Sequence, residues 1–208
     1  MEEIENIIAE NAKRIENSRS QFNPISGYQS IGERTQVCLP DYPISEMWLP
    51  NEMLKDKFIK KILRCGSIEA YINKHAKGLE SSFVIDAITR VRCRYDFPFW
   101  AYTYVRIKPK EGGVDIPFKL NRPQLKLIGL YESQRVANKP IRTILLKARQ
   151  WGGSTATQVY FAWLQLIHST GLNSLIVSQV KDTSVEILDM FNRLLLNYPL
   201  WMLYPIGT

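Results

Sequence analysis

Residues 147–155, KARQWGGST, constrain this chain more than any other stretch. An apolar run, TILL at 143–146, precedes them. A segment with helical periodicity, from Ser154 to His168, follows, with Val159, Tyr160, Trp163, Leu166 and Ile167 on one face. A buried strand, a glycine turn carrying cations and a hydroxyl-bearing helix start together form an anion-binding layout. Backbone N–H groups and the positive end of the helix converge there. The common phosphate-loop pattern is G-x-x-x-x-G-K-[ST]. Gly152 matches its last glycine and Ser154 its Mg²⁺-binding hydroxyl, but Gly153 stands where the lysine is expected and the first glycine is absent. Two cations stand at the strand exit instead. Lys147 and Arg149 are placed to fold back over β/γ-phosphates, where phosphoryl chemistry needs positive charge. On this reading Gln150, Trp151, Gly152, Gly153, Ser154 and Thr155 form the cofactor-binding loop, Ser154 is the metal ligand, and Thr155 replaces it if the register slips by one. A lysine restored at Gly153 is then expected to compensate in part for loss of Lys147. The plain alternative is an ordinary strand–turn–helix junction with Arg149 on the surface.

The surroundings favour the loop. Residues 171–178, GLNSLIVS, read as a glycine stop and a second apolar strand, and TSVE at 183–186 as a capping box opening another helix. Ile187, Met190, Phe191, Leu194 and Leu195 line one face of that helix. Strands alternating with helices predict parallel strands joined by right-handed crossovers. Ligands of such sheets sit at the carboxyl ends of the strands. The expected fold class is therefore α/β, with a parallel-sheet core of the phosphate-loop NTPase kind over residues 95–208. A helical and irregular appendage over 1–94 precedes it.

Upstream, PFKLNRPQLKLI at 117–128 places Pro123 in the first turn of a helix, with Gln124 projecting from its beginning. A glutamine amide offers the acceptor and donors that pair with N6 and N7 of adenine; a solvent-facing glutamine is the alternative. In its order of elements, the stretch from about 95 to 197 resembles the ATPase region of the terminase large subunit, the DNA-packaging motor of tailed phages. The elements are the aromatic lead-in DFPFWAYTY at 96–104, the segment ending in Gln124, the loop and the strand at 174–178. The resemblance implies ATP and Mg²⁺ as cofactors and double-stranded DNA as cargo. It also implies a portal protein and a small terminase subunit as partners, a homo-oligomeric ring on the portal, and work in the host cytoplasm. It further implies an endonuclease domain whose acidic ligands would lie beyond Thr208. A helicase-like ATPase shares the glutamine and the loop. An adaptor that has lost nucleotide binding is the reading from a different class.

The reaction needs more than this sequence holds. No apolar run after Thr155 ends in paired carboxylates; Asp182, Glu186 and Asp189 all fall on the helix opened at 183. A hydrolytic site needs one carboxylate for the Mg²⁺ shell and another to orient water. The chain is accordingly expected to be the front part of a longer protein, without steady-state ATPase activity of its own.

The remaining features bound the class. A net charge of +7 attracts polyanions at long range. Basic residues concentrate at 55–64, KDKFIKKILR, and at 90–94, RVRCR. Cys38, Cys65 and Cys93 form no C-x-x-C pair and are expected to be reduced thiols; His75 and His168 are expected to be structural or surface residues rather than ligands. No apolar run is long enough to span a bilayer, and the acidic start, MEEIE, is unlike a signal peptide. Within the appendage, residues 2–19 place Ile4, Ile7, Ile8 and Ile15 on one helical stripe. Residues 22–51 are expected to be irregular, and 67–77 and 82–94 helical.

Overall fold

The computed structural model describes residues 4–7, 9, 22–109, 112–146, 151–168, 171–178 and 181–203. It is a mostly helical α/β chain in which the described strands form two small antiparallel sheets. The first sheet falls where an irregular stretch is expected. Strand β1 (Arg34–Cys38) pairs with β2 (Glu46–Pro50), from Arg34 opposite Pro50 to Cys38 opposite Glu46. Alternation on β2 turns Met47 and Leu49 into the core. The proline- and glycine-rich composition of 22–51 describes the loops around this hairpin and hides the two five-residue strands. Sheet two is a pair of two-residue strands, β3 (Arg106–Ile107) and β4 (Ile116–Pro117).

The helices follow their punctuation. In α1 (Lys57–Cys65) the Asp56 side chain accepts from the N–H groups of Phe58 and Ile59, and Gly66, at φ +81°, closes the last turn. Ser67 caps α2 (Ile68–His75) through the Ala70 N–H at 3.0 Å. Then come α3 (Ser81–Tyr95), α4 (Phe97–Tyr104), α5 (Arg122–Val136) and α6 (Gly153–Trp163), which continues as a π-helical turn (Leu164–His168). Helices α7 (Lys181–Leu196) and α8 (Leu200–Leu203) end the described chain. Because α7 begins at Lys181, the residues read as a cap at 183 lie inside the helix. Of the helix expected over 2–19, residues 4–7 and 9 are helical and exposed; Ile8 and Ile15 lie outside the described residues.

Two apolar clusters hold these elements. One joins the hairpin to the first three helices through Met47, Leu49, Met53, Ile59, Ile62 and Ile88. The other centres on Trp100 and Trp163, both fully buried, with Phe97 and Tyr160 edge-on to one another. Each indole N–H finds a partner. Trp100 Nε1 donates to Tyr198 Oη at 3.0 Å, and Trp163 Nε1 to the Cys93 carbonyl at 2.8 Å. A charged group, Arg34–Asp96–Arg92, ties the hairpin to α3 and α4 from inside.

His168 lies at the edge of the second cluster, 4.3 Å from the Trp163 ring centroid, with a buried Nε2 that has no hydrogen-bond partner among the described residues. Burial first, then the charges of Arg135 and Arg94, lower its pKa from 6.5 to about 4. Its expected structural role follows. Since the folded-state pKa is depressed, the neutral ring's contribution is present above pH 6.5 and lost as pH falls through about 4. In His168→Phe, which keeps the ring, the loss of stability between pH 6.5 and 4 should be smaller than in the wild type by about 2 kcal/mol. Urea titrations at several pH values measure it, and parallel pH curves for the two proteins would remove His168 as the titrating group.

The parallel strands expected at 143–146 and 171–178 are not present as strands. Both segments are without ladder partners, and their apolar side chains face outward: Ile144, Leu146, Leu175 and Val177 are each at least 82% exposed. The backbone groups of residues 143–146 and 173–177 make no hydrogen bond among the described residues. Apolar sequence alone does not make a strand. It needs a neighbour for its N–H and C=O groups, and none of the described segments supplies one.

Candidate functional site

The described part of the candidate loop is the start of α6. Gly152 is its N-cap in the left-handed region, at φ +79° and ψ +23°, with no side chain capping the helix. An α-helix leaves its first N–H groups without intrahelical acceptors. The N–H groups of Gly153, Ser154 and Thr155 accordingly have no partner among the described residues, and the Ser154 side chain beside them is exposed. Free amides, the positive end of an eleven-residue helix and an open hydroxyl face one region. Lys147, Arg149 and Gln150, placed in the site by sequence, lie outside the described residues.

Two side chains of the preceding helix fix where this helix start points. Asn121 caps α5, accepting from the Gln124 N–H at 2.9 Å, while Gln124 Oε1 accepts from the Asn121 N–H at 2.9 Å. Their remaining donors cross to the loop. Asn121 Nδ2 donates to the Trp151 carbonyl at 3.0 Å, and Gln124 Nε2 to the Gly152 carbonyl at 2.9 Å. This capping box is thus also a clamp, holding the consecutive carbonyls of Trp151 and Gly152. Gln124 is 4% exposed, and its amide is engaged at both ends. The sequence reading has Gln124 project from the helix start toward adenine; the structure turns it inward against the loop, where it positions the Gly152 carbonyl. Asn121 was missed. Its signal is legible as an N-x-x-Q capping box over 121–124, directly ahead of an apolar run.

The two glycines are explained by the same contacts. A Cβ on Gly152 would stand 2.5 Å from Gln124 Nε2, and the positive φ already disfavours any side chain. On Gly153 a Cβ would stand 2.6 Å from Trp151 Cζ2, because the indole lies across that position. A lysine cannot enter at Gly153 without displacing Trp151. That corrects the expectation that Gly153→Lys restores a common loop: the variant should instead weaken whatever the loop binds. Gly152→Ala should cost about 1–3 kcal/mol of stability through strain and loss of the Gln124 bond. Gly153→Ala should cost less, since the indole can swing aside. Chemical denaturation of the two variants checks the order, and equal small losses would show that the clamp is loose.

The flanks of α6 are open. A cavity of about 280 Å³ lies between Tyr131, Thr143, Thr157, Tyr160 and Leu164, and one of about 260 Å³ between Gln158, Gln165, Ser174, Ser184 and Phe191. Both lie beside the unpaired extended segments. A cleft of about 330 Å³, between residues 31–34, 50–52 and the second half of α5, is mainly apolar. Its cations Arg34 and Arg135 are held by Asp96 and Glu132, so it offers no free anion donor of the loop's kind. Among the described residues no cluster of His, Cys, Asp or Glu is arranged to hold a metal ion. The three cysteines are unpaired thiols. No described helix is long and apolar enough to cross a membrane. Comparison of the chain with protein-family models, with curated proteins and with solved structures gives no match.

Proposed function

We propose that this chain is the ATP-binding part of a DNA-packaging motor ATPase, resembling the front of a terminase large subunit. The observation that carries the reading is the uncapped start of α6 behind a left-handed glycine, where the amides of residues 153–155 have no partner among the described residues and Ser154 is exposed. In this reading the amides take the phosphate oxygens, Lys147 and Arg149 neutralise the β- and γ-phosphates, and Ser154 contributes to the Mg²⁺ shell. Asn121 and Gln124 position the loop, and contact of Gln124 with adenine would require its buried amide to leave the Gly152 carbonyl. The unpaired segments at 143–146 and 172–178 would be strands of a parallel sheet whose further members carry the missing carboxylate pair. Double-stranded DNA, a portal protein, a small terminase subunit, a homo-oligomeric ring and the host cytoplasm complete the reading.

Titration of the 208-residue chain with Mg-ATP, followed by calorimetry, tests this. Binding should be detectable without turnover. Ser154→Ala should weaken it about 3–10-fold in Mg²⁺ and little in EDTA, since one metal contact is lost. Absence of ATP binding by the wild type would favour the adaptor reading, in which the loop is only a structural junction.

A further inference from the structure

From the surface of α1 we infer that this helix is a docking face for the phosphate backbone of a nucleic acid duplex, with Lys57, Lys60, Lys61 and Arg64 as the contacting groups. All four are exposed, while Ile59 and Ile62 on the opposite face are buried. The spacing i, i+3, i+4, i+7 puts the cations on one stripe, about 10 Å long by helix rise. That length spans about three phosphate steps of one strand.

The stripe is costly for the fold, and no ion pair among the described residues recovers the cost. Residue pairs 57/60, 57/61, 60/64 and 61/64 are like charges at helix-neighbour spacing, which destabilise a helix. Lys57 also stands in the first turn, where the helix dipole disfavours a cation. The adjacent acids are committed elsewhere. Glu52 pairs with Lys55 at 2.6 Å, and Asp56 caps the helix. None of the four stripe cations has an ion-pair partner among the described residues. The edge-on contact of Phe58 with Tyr71 brings α2 alongside, with exposed Lys74 in its last turn extending the positive surface. A row of unpaired cations on a rigid, doubly capped helix is complementary to a regular array of anions. A lipid surface is a poorer match, because membrane-lying helices insert an apolar face, and that of α1 is buried in its own core.

The inference takes only its choice of partner from the function proposed above, and its test contains no nucleotide. Affinity of the 208-residue chain for a fluorescent 30-base-pair duplex is measured against salt, in parallel with thermal unfolding. Neutralising the stripe (Lys57→Gln, Lys60→Gln, Lys61→Gln and Arg64→Gln together) should lower affinity at least tenfold at about 0.1 M salt. It should also flatten the log–log salt slope by about 3.6, at about 0.9 per phosphate contact. The unfolding temperature should hold or rise, because the repulsion is gone. Replacing the three lysines by arginine should preserve binding. Duplex affinity and slope unchanged by neutralisation would overturn the inference. So would equal competition by polyglutamate, or binding of phosphatidylserine vesicles that depends on the same four residues as tightly as DNA does. If the fourfold variant unfolds, Lys60→Gln alone decides, with an expected slope change of about 0.9.

Discussion

Asp96→Asn is expected to lower the unfolding free energy by about 3–5 kcal/mol, the usual cost of removing one partner from a buried ion pair. Asp96 is 1% exposed and accepts from Arg34 Nη1 at 3.0 Å, Arg34 Nη2 at 2.7 Å and Arg92 Nε at 3.3 Å. Both guanidiniums are buried and committed in other directions too. Arg34 donates to the carbonyls of Ile31 and Trp48, and Arg92 donates to that of Ile25 while lying 3.9 Å from the Phe99 ring centroid. Neither can follow solvent when the carboxylate goes. Burial alone would raise the Asp96 pKa; the charges of Arg34 and then Arg92 outweigh it and hold the carboxyl below its ordinary 3.8. A depressed carboxylate stabilises the fold above its unfolded pKa and stops doing so as pH falls through the folded value. The penalty of the variant should therefore be full at neutral pH and shrink in acid. Equilibrium urea unfolding at pH 7 and pH 3 measures both features. A loss under about 1 kcal/mol at pH 7 would mean that the hairpin is not anchored through this group.

Lys147→Ala should weaken Mg-ATP binding about 10–100-fold, the worth of one charge-assisted hydrogen bond to phosphate. The expectation is sharpened by what the structure shows next to it. With Gly153 covered by the Trp151 indole, a side chain at the position that usually carries the phosphate-loop lysine must displace that ring. In the proposed function the charge comes instead from Lys147 or Arg149, ahead of the glycines in sequence. Arg149→Ala should mainly lower turnover in a hydrolysis-competent assembly, because its planar fork suits a charge that grows in the transition state. Unchanged ATP affinity in Lys147→Ala would take that residue out of the site.

Much of the helical structure was legible because its punctuation is local. Ser67 marks the start of α2 through a contact within a few residues, and the apolar stripes of α3 and α6 have the 3.6-residue period; α1, between Asp56 and Gly66, was read only as a basic cluster. The hairpin of β1 and β2 was not, since RTQVC and EMWLP are short and polar-flanked, and their pairing spans a loop whose prolines dominate the composition. The extended segments at 143–146 and 172–178 failed in the opposite direction: strong apolar patterning, but no neighbour among the described residues to make it a ladder. At the candidate site, Gln124, Gly152 and Ser154 were singled out by motif, whereas the reason for Gly153 was hidden. That reason is an indole two residues earlier folding back, which no spacing rule reports. Asn121 was legible and overlooked.

In the proposed function the free amides at the start of α6 receive the phosphates of ATP. The ¹⁵N–¹H spectrum of the 208-residue chain titrated with Mg-ATP reads this at the amides themselves. Large, saturable shifts are expected at Gly152, Gly153, Ser154 and Thr155, together with the Asn121 and Gln124 side-chain amides that clamp the loop, and no such shifts with adenosine alone. Saturable shifts confined to other elements, or an unmoved loop at ATP concentrations well above any observed dissociation constant, would contradict it.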